Sequence, residues 1–149
     1  MIYVNEFEFY ESEGCMLAVP FGLEGGTFGN DLKDAVLAAS DWLAETVNDA
    51  LMHDREPETG SLGNKARHGG TVIAVSVNCD LSRIDAMTAA DAARMLDVST
   101  ARVAQMCESG RLDSWKDGSR RMVACRSVEA RLAEAPKAGR PRKALLLQS

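Results

Sequence analysis

Apolar and polar positions alternate from Tyr3 to Phe9, with Tyr3, Phe7 and Phe9 on one side and Glu6 and Glu8 on the other. That is the pattern of a strand with one buried and one solvated face. Ser12-Glu13-Gly14 reads as a turn and Cys15 to Val19 as the hairpin partner, halted by Pro20. Gly22, Gly25, Gly26 and Gly29 punctuate the next stretch, with room for a short strand around Thr27-Phe28. Behind it Leu32, Ala35, Val36, Ala39, Leu43, Val47, Ala50 and Leu51 recur at helical spacing as a single stripe. Asp31, with Asp34 three residues on, supplies the N-terminal cap. The helix should end near His53, because residues 54–70 carry Pro57 and several glycines in a polar setting. Thr71, Ile73, Val75 and Val77 then alternate with smaller residues as another strand. The fold class expected is α+β, with one long helix on one face of a small, mostly antiparallel sheet.

After a polar connector over residues 80–86 the period changes. Thr88 caps a helix in which Ala89, Ala92, Ala93 and Leu96 share a face, Asp97-Val98 is a turn, and Ser99 caps a second helix to about Glu108, stopped by Gly110. Arg111 to Trp115 and Arg121 to Cys125 read as two strands around Lys116-Asp117-Gly118-Ser119. Ser127 caps a last helix over Val128 to Ala133, and Pro136 ends the fold. Two capped helices, a tight turn, a hairpin and a closing helix compose a winged helix-turn-helix over residues 87–135, behind a first domain over 1–79 and ahead of a basic tail over 136–149.

Net charge is −5 over 149 residues, which alone argues against a nucleic-acid partner. Its distribution reverses that reading: residues 1–60 hold 13 acidic and 2 basic groups, whereas 88–149 hold 7 acidic and 12 basic. The second half suits a polyanion and the first a basic protein. Cys15, Cys79, Cys107 and Cys125 lack metal-ligand spacing, and only His53 and His68 could join them, so no metal, no cofactor and no nucleophilic chemistry is expected. With no secretory leader and no apolar run of about 20 residues, the expected location is the cytoplasm, away from membranes.

On the second helix Val98, Val103 and Met106 are expected inside, leaving Thr100, Ala101, Arg102, Ala104 and Gln105 for the major groove of double-stranded DNA. Arg forks onto guanine and Gln onto adenine, whereas Thr reaches a phosphate or a thymine methyl. Ser99 at the helix start, and Lys116, Ser119, Arg120 and Arg121 at the wing, are candidates for phosphates or the minor groove.

The stretch Met87-Thr88-Ala89-Ala90-Asp91-Ala92-Ala93-Arg94-Met95-Leu96-Asp97-Val98-Ser99 resembles the excisionase and MerR-type helix-turn-helix families. Ser109-Gly110-Arg111-Leu112, Gly118-Ser119-Arg120-Arg121 and Ser127-Val128-Glu129-Ala130-Arg131-Leu132 extend the likeness, and Asp97 stands where those families usually have Gly. Gly139-Arg140-Pro141-Arg142 in the tail resembles an AT-hook core, which implies Arg140 and Arg142 along a minor groove. The first half resembles the HicB antitoxins on Tyr3 to Tyr10, Glu13-Gly14-Cys15-Met16-Leu17-Ala18-Val19-Pro20, Gly29-Asn30-Asp31-Leu32-Lys33-Asp34-Ala35 and Thr71 to Val77. That likeness implies a partial RNase H-like domain, a small basic toxin as partner and repression of a shared operon. Glu24, Asp31 and Asp34 are read as loop and helix-start residues and not as a catalytic set. An excisionase-like architectural factor and a protein-interaction module without DNA binding are the alternatives. A unit of about 80 residues buries little core alone, so a homodimer joined through residues 1–79 is expected.

Overall fold

A computed structural model describes residues 1–138, with side chains as far as Glu134. The chain divides into two compact units, Met1–Arg83 and a second beginning at Ile84.

The first unit runs β1 (Ile2–Ser12), β2 (Cys15–Pro20), β3 (Thr27–Gly29), α1 (Leu32–Met52) and β4 (Thr71–Asn78), followed by a 3₁₀ turn at Leu81–Arg83. The sheet order is β3-β2-β1-β4, with every neighbouring pair antiparallel. Asp31 caps α1 by accepting from the Asp34 N–H, and Ala35, Ala39, Leu43, Val47 and Ala50 bury the expected stripe. Leu32, in the first turn, departs from it at 39% exposed. Phe7, Phe9, Ala18, Val75 and Val77 meet that stripe from the sheet, and Phe7 sets its ring edge-on to Trp42 at 5.8 Å. Gly29 is required where α1 leaves β3, since a Cβ there would strike the Ala35 backbone.

One expectation for β1 is overturned. Glu8 is not on a solvated face; it is 2% exposed. The chain between α1 and β4 lies back over the outer face of the sheet, where Glu6 and Glu8 of β1 fasten it, while Asn5, on the Phe7 face of the strand, holds it at Gly60. Asn5 Oδ1 accepts from Gly60 N–H, Glu6 Oε1 from the Asn64 backbone and side-chain amides, and Glu8 from the N–H groups of Arg67 (2.8 Å), His68 (2.8 Å) and Gly70 (3.0 Å). Burial pushes the Glu8 carboxyl up, but those three backbone donors outweigh it and hold the group down to about 2. The Asn64 backbone and side-chain donors hold Glu6 below the ordinary carboxylate range. His68 stacks on Tyr10 at 4.4 Å and Arg67 lies over the Phe21 ring at 5.1 Å. The anchors advance along β1 as the loop advances, so the loop runs parallel to β1, and β4 must return antiparallel to it.

The second unit runs β5 (Ala86–Thr88), α2 (Ala89–Leu96), α3 (Thr100–Glu108), β6 (Ser114–Asp117), β7 (Arg120–Ala124) and α4 (Cys125–Ala138). The expected connector, 80–86, thus holds the 3₁₀ turn and the first residue of β5, which pairs with β7 in a sheet ordered β5-β7-β6. Asp117 pairs with Arg120, so the hairpin turn is Gly118-Ser119, with Gly118 at φ 65, and both strands sit later or earlier than expected by a residue or more. Helix α4 starts at Cys125, ahead of Ser127, and passes Pro136; a proline in a last turn removes a single backbone bond. Ser127 Oγ instead donates to the Ala124 carbonyl and accepts from the Asp113 N–H, tying α4 to the approach of β6. Ala92, Ala93, Val103, Met106, Leu112, Val123 and Val128 make the core.

Candidate nucleic-acid interface

Thr88 Oγ1 accepts from the Asp91 N–H and starts α2; Ser99 Oγ accepts from the Arg102 N–H and starts α3. Between them Asp97 adopts left-handed backbone, φ 57 and ψ 49, and the Val98 N–H reaches the Ala93 carbonyl. Asp thus fills the position where the resembled families place Gly, and the turn closes. Val98 is 37% exposed, against the expectation that it packs inside: it lies in the turn, ahead of α3, and does not share the helical face on which Val103 and Met106 are buried.

The opposite face of α3 is open. Thr100, Ala101 and Gln105 are exposed, Arg102 and Ala104 half-buried, and Ser99 exposed at the start. Arg102 Nη1 donates to Gln105 Oε1 at 3.3 Å. With its oxygen engaged by Arg102, Gln105 keeps its amide N–H donors for another partner, so the two side chains are coupled on the exposed side of the helix.

The wing residues separate by face. Lys116 stands directly opposite Arg121, and Ser114 opposite Val123. These four share the side of the sheet that Val123 turns into the core shared with α2 and α3. Arg121 is half-buried and its guanidinium donates to Ser114 Oγ at 3.2 Å. Like charges directly across a strand pair are unfavourable by a few tenths of a kcal/mol unless an anion lies between them. Arg120 stands opposite Asp117 and leaves from the other face, with Ser119 exposed in the turn. Lys116 and Arg121 are therefore brought together, and Arg120 is not. Arg140 and Arg142 lie outside the described residues.

Sequence reasoning passed over Ser114, which fixes Arg121; only the strand register shows that pairing. It also passed over Arg111, Arg126 and Arg131, which line an open cleft of about 710 Å³ together with Asp113 and Glu134. Arg131 pairs with Glu134 at 3.7 Å, so the cleft is of mixed charge. No described helix is long and apolar enough to cross a membrane. Neither a curated protein nor a solved structure matches the chain. Residues 86–136 match the family model for a helix-turn-helix domain, and the capped α2, left-handed turn, open-faced α3 and charged hairpin are that domain in this chain.

Proposed function

We propose that this protein is a sequence-specific regulator of transcription that reads double-stranded DNA with α3 and grips the backbone with its wing. The observation that carries the reading is the pairing of an open α3 face, centred on the linked Arg102 and Gln105, with the like-charged Lys116–Arg121 pair on the sheet side that faces the helices. In this reading Arg102 and Gln105 specify bases, Thr100 and Ala101 meet phosphate or a thymine methyl, and Lys116 and Arg121 position the duplex.

The finer role proposed is that of an antitoxin-type autorepressor, residues 1–79 binding a small basic toxin and joining two copies, residues 87–135 reading the operator. Its support is the likeness of the first half to HicB antitoxins and the acidic balance of residues 1–60. No catalysis is assigned to the first unit: Asp31 and Asp34 are engaged at the N-terminus of α1, where Asp34 Oδ2 accepts from the Asn30 N–H. The test is selection of duplexes from a random pool by the full chain, then titration of the winner by fluorescence anisotropy. An enriched motif whose preference relaxes in Arg102→Ala supports base readout; equal binding of every duplex, all abolished by salt, refutes it. Capture of a basic partner by the full chain, released by salt, tests the antitoxin role.

A further inference from the structure

We infer that the outer edge of β4 is where a second copy of this chain adds, strand against strand, to make one continuous antiparallel sheet across a two-fold axis. The two edges of the first unit are built differently. β3 is only 3 residues long and is followed at once by α1, whereas β4 offers 8 residues, Thr71–Asn78. Among the described residues β4 pairs with β1 alone. Sheet edges left to solvent are ordinarily blunted by charge, proline, bulges or brevity. Thr71-Val72-Ile73-Ala74-Val75-Ser76-Val77-Asn78 has none of these: no charged residue, no proline, and unbroken register with β1 from end to end.

The occupant follows from charge and symmetry. This strand carries no charged residue, so a partner strand that leaves no unpaired charge along the seam is itself uncharged. The same strip on another copy satisfies that requirement. A two-fold axis perpendicular to the sheet makes the two strands antiparallel and keeps both α1 helices on one side. Centred on Val75, it sets Ile73 opposite Val77, Val75 opposite itself and Ala74 opposite Ser76, so β-branched residues pair on the helix side and small exposed ones on the other. The two Asn78 residues would lie about 20 Å apart at a rise of about 3.4 Å per residue. Each copy carries one helix-turn-helix segment, so a pair of copies carries the two that a duplex with two half-sites requires. The need for two half-sites rests on the DNA-binding reading; the strand pairing does not, and self-association is measured without DNA, so the two can fail separately.

The experiment is sedimentation equilibrium of the full chain, with Ala74→Lys/Ser76→Lys and Ala74→Glu/Ser76→Glu variants whose helix and strand content is checked by circular dichroism. Both positions are exposed and outside the core; Ala74 stands opposite Glu6, which costs the Glu variant a like-charge contact of a few tenths of a kcal/mol, small enough for the protomer fold to persist. The native chain should be a dimer at micromolar concentration, and each variant, with like charges opposed across the axis, should dimerise about tenfold more weakly at low salt. An equimolar mixture of the two variants should recover the native dimer. A native chain that stays monomeric, or variants that dimerise as well as it does, or a mixture no tighter than its components, would each overturn the inference; a monomer would leave the strip to a strand from a different protein.

Discussion

Asp97 offers the sharpest test of how the helix-turn-helix is built. It lies in left-handed backbone at φ 57 and ψ 49 directly after α2, with its own N–H on the Arg94 carbonyl. Two unfavourable contributions meet there. Left-handed backbone costs an L-residue roughly 1–2 kcal/mol, Asp being at the low end, and a carboxylate facing the negative end of a helix costs roughly 0.3–1 kcal/mol. Glycine removes both but loses roughly 0.5–1 kcal/mol through the greater freedom of the unfolded chain. The two reliefs exceed that loss, so Asp97→Gly should stabilise the second unit by about 0.5–1 kcal/mol. Asp97→Asn, which removes only the charge, should gain about 0.3–1 kcal/mol, and Asp97→Val, equally uncharged but β-branched, should fall below Asp97→Asn by about 1–2 kcal/mol. At roughly 4–8 °C per kcal/mol for a unit of this size, calorimetry of the full chain should spread the series over about 10 °C. The relevant transition is the one that Val103→Ala, a core truncation confined to that unit, also moves. Asp97→Gly melting below the native chain while Asp97→Val melts no lower than Asp97→Asn would refute the assignment of the turn to a left-handed residue.

Arg102→Ala and Gln105→Ala should each cost about 1–3 kcal/mol on the preferred duplex, and the double variant less than their sum by about 0.5–2 kcal/mol, because the two side chains are bonded to each other; strict additivity in anisotropy titrations would show that they read independently. Arg121→Ala and Lys116→Ala should each lower the slope of log affinity against log salt by about 1, with Arg120→Ala changing it least. For the first unit, the Glu8 carboxyl is held at about 2 against an ordinary 4.5, so its contribution is complete above about 4.5 and fades as pH falls toward 2. Limited proteolysis within 54–70 should accelerate across that window, and Glu8→Gln should show fast cleavage even at neutral pH. Leu43→Ala, at a fully buried site under the sheet, should cost about 2–5 kcal/mol in the melting of the first unit and leave the affinity of the second for DNA unchanged.

Much of this architecture is written in local signals. The α1 stripe, its Asp31 cap, and the Thr88 and Ser99 caps are each set within one or two helical turns, where spacing and side-chain reach decide the outcome. Glu6 and Glu8 were legible as facing away from Phe7 and Phe9, but alternation cannot say whether something else comes to lie on that face. What covers it is a segment some 60 residues later in sequence, held by backbone N–H groups that carry no residue signature. β5 escaped for a related reason: 3 residues are too short for a period, and only β7 makes them a strand. In the wing, Asp117-Gly118 resembled the centre of a turn, yet Asp117 pairs with Arg120 and the turn slides onto Gly118-Ser119. That slide is what decides which cations share a face. The candidate residues of α3 could be named from a helical wheel; the Arg102–Gln105 bond and the anchoring of Arg121 by Ser114 could not, since both depend on rotamers and register.

The place of β1 between β2 and β4 has a consequence for how the chain is made. Its first partner is reached across a turn at residues 13–14, but its second pairs Ile2 with Asn78 and Phe9 with Thr71, the span of the whole unit. Closing such a loop is slow, and nothing rewards it until β4 exists. A chain emerging from the ribosome can form the hairpin and α1 early, yet it must hold the apolar flank of β1 unfilled until the last residues of β4 have cleared the exit tunnel. The α2–α3 pair that follows is assembled from near neighbours and can form as soon as it is made, whereas the interval in which β1 stands open is the one in which nascent chains of this protein are most exposed to mispairing with each other.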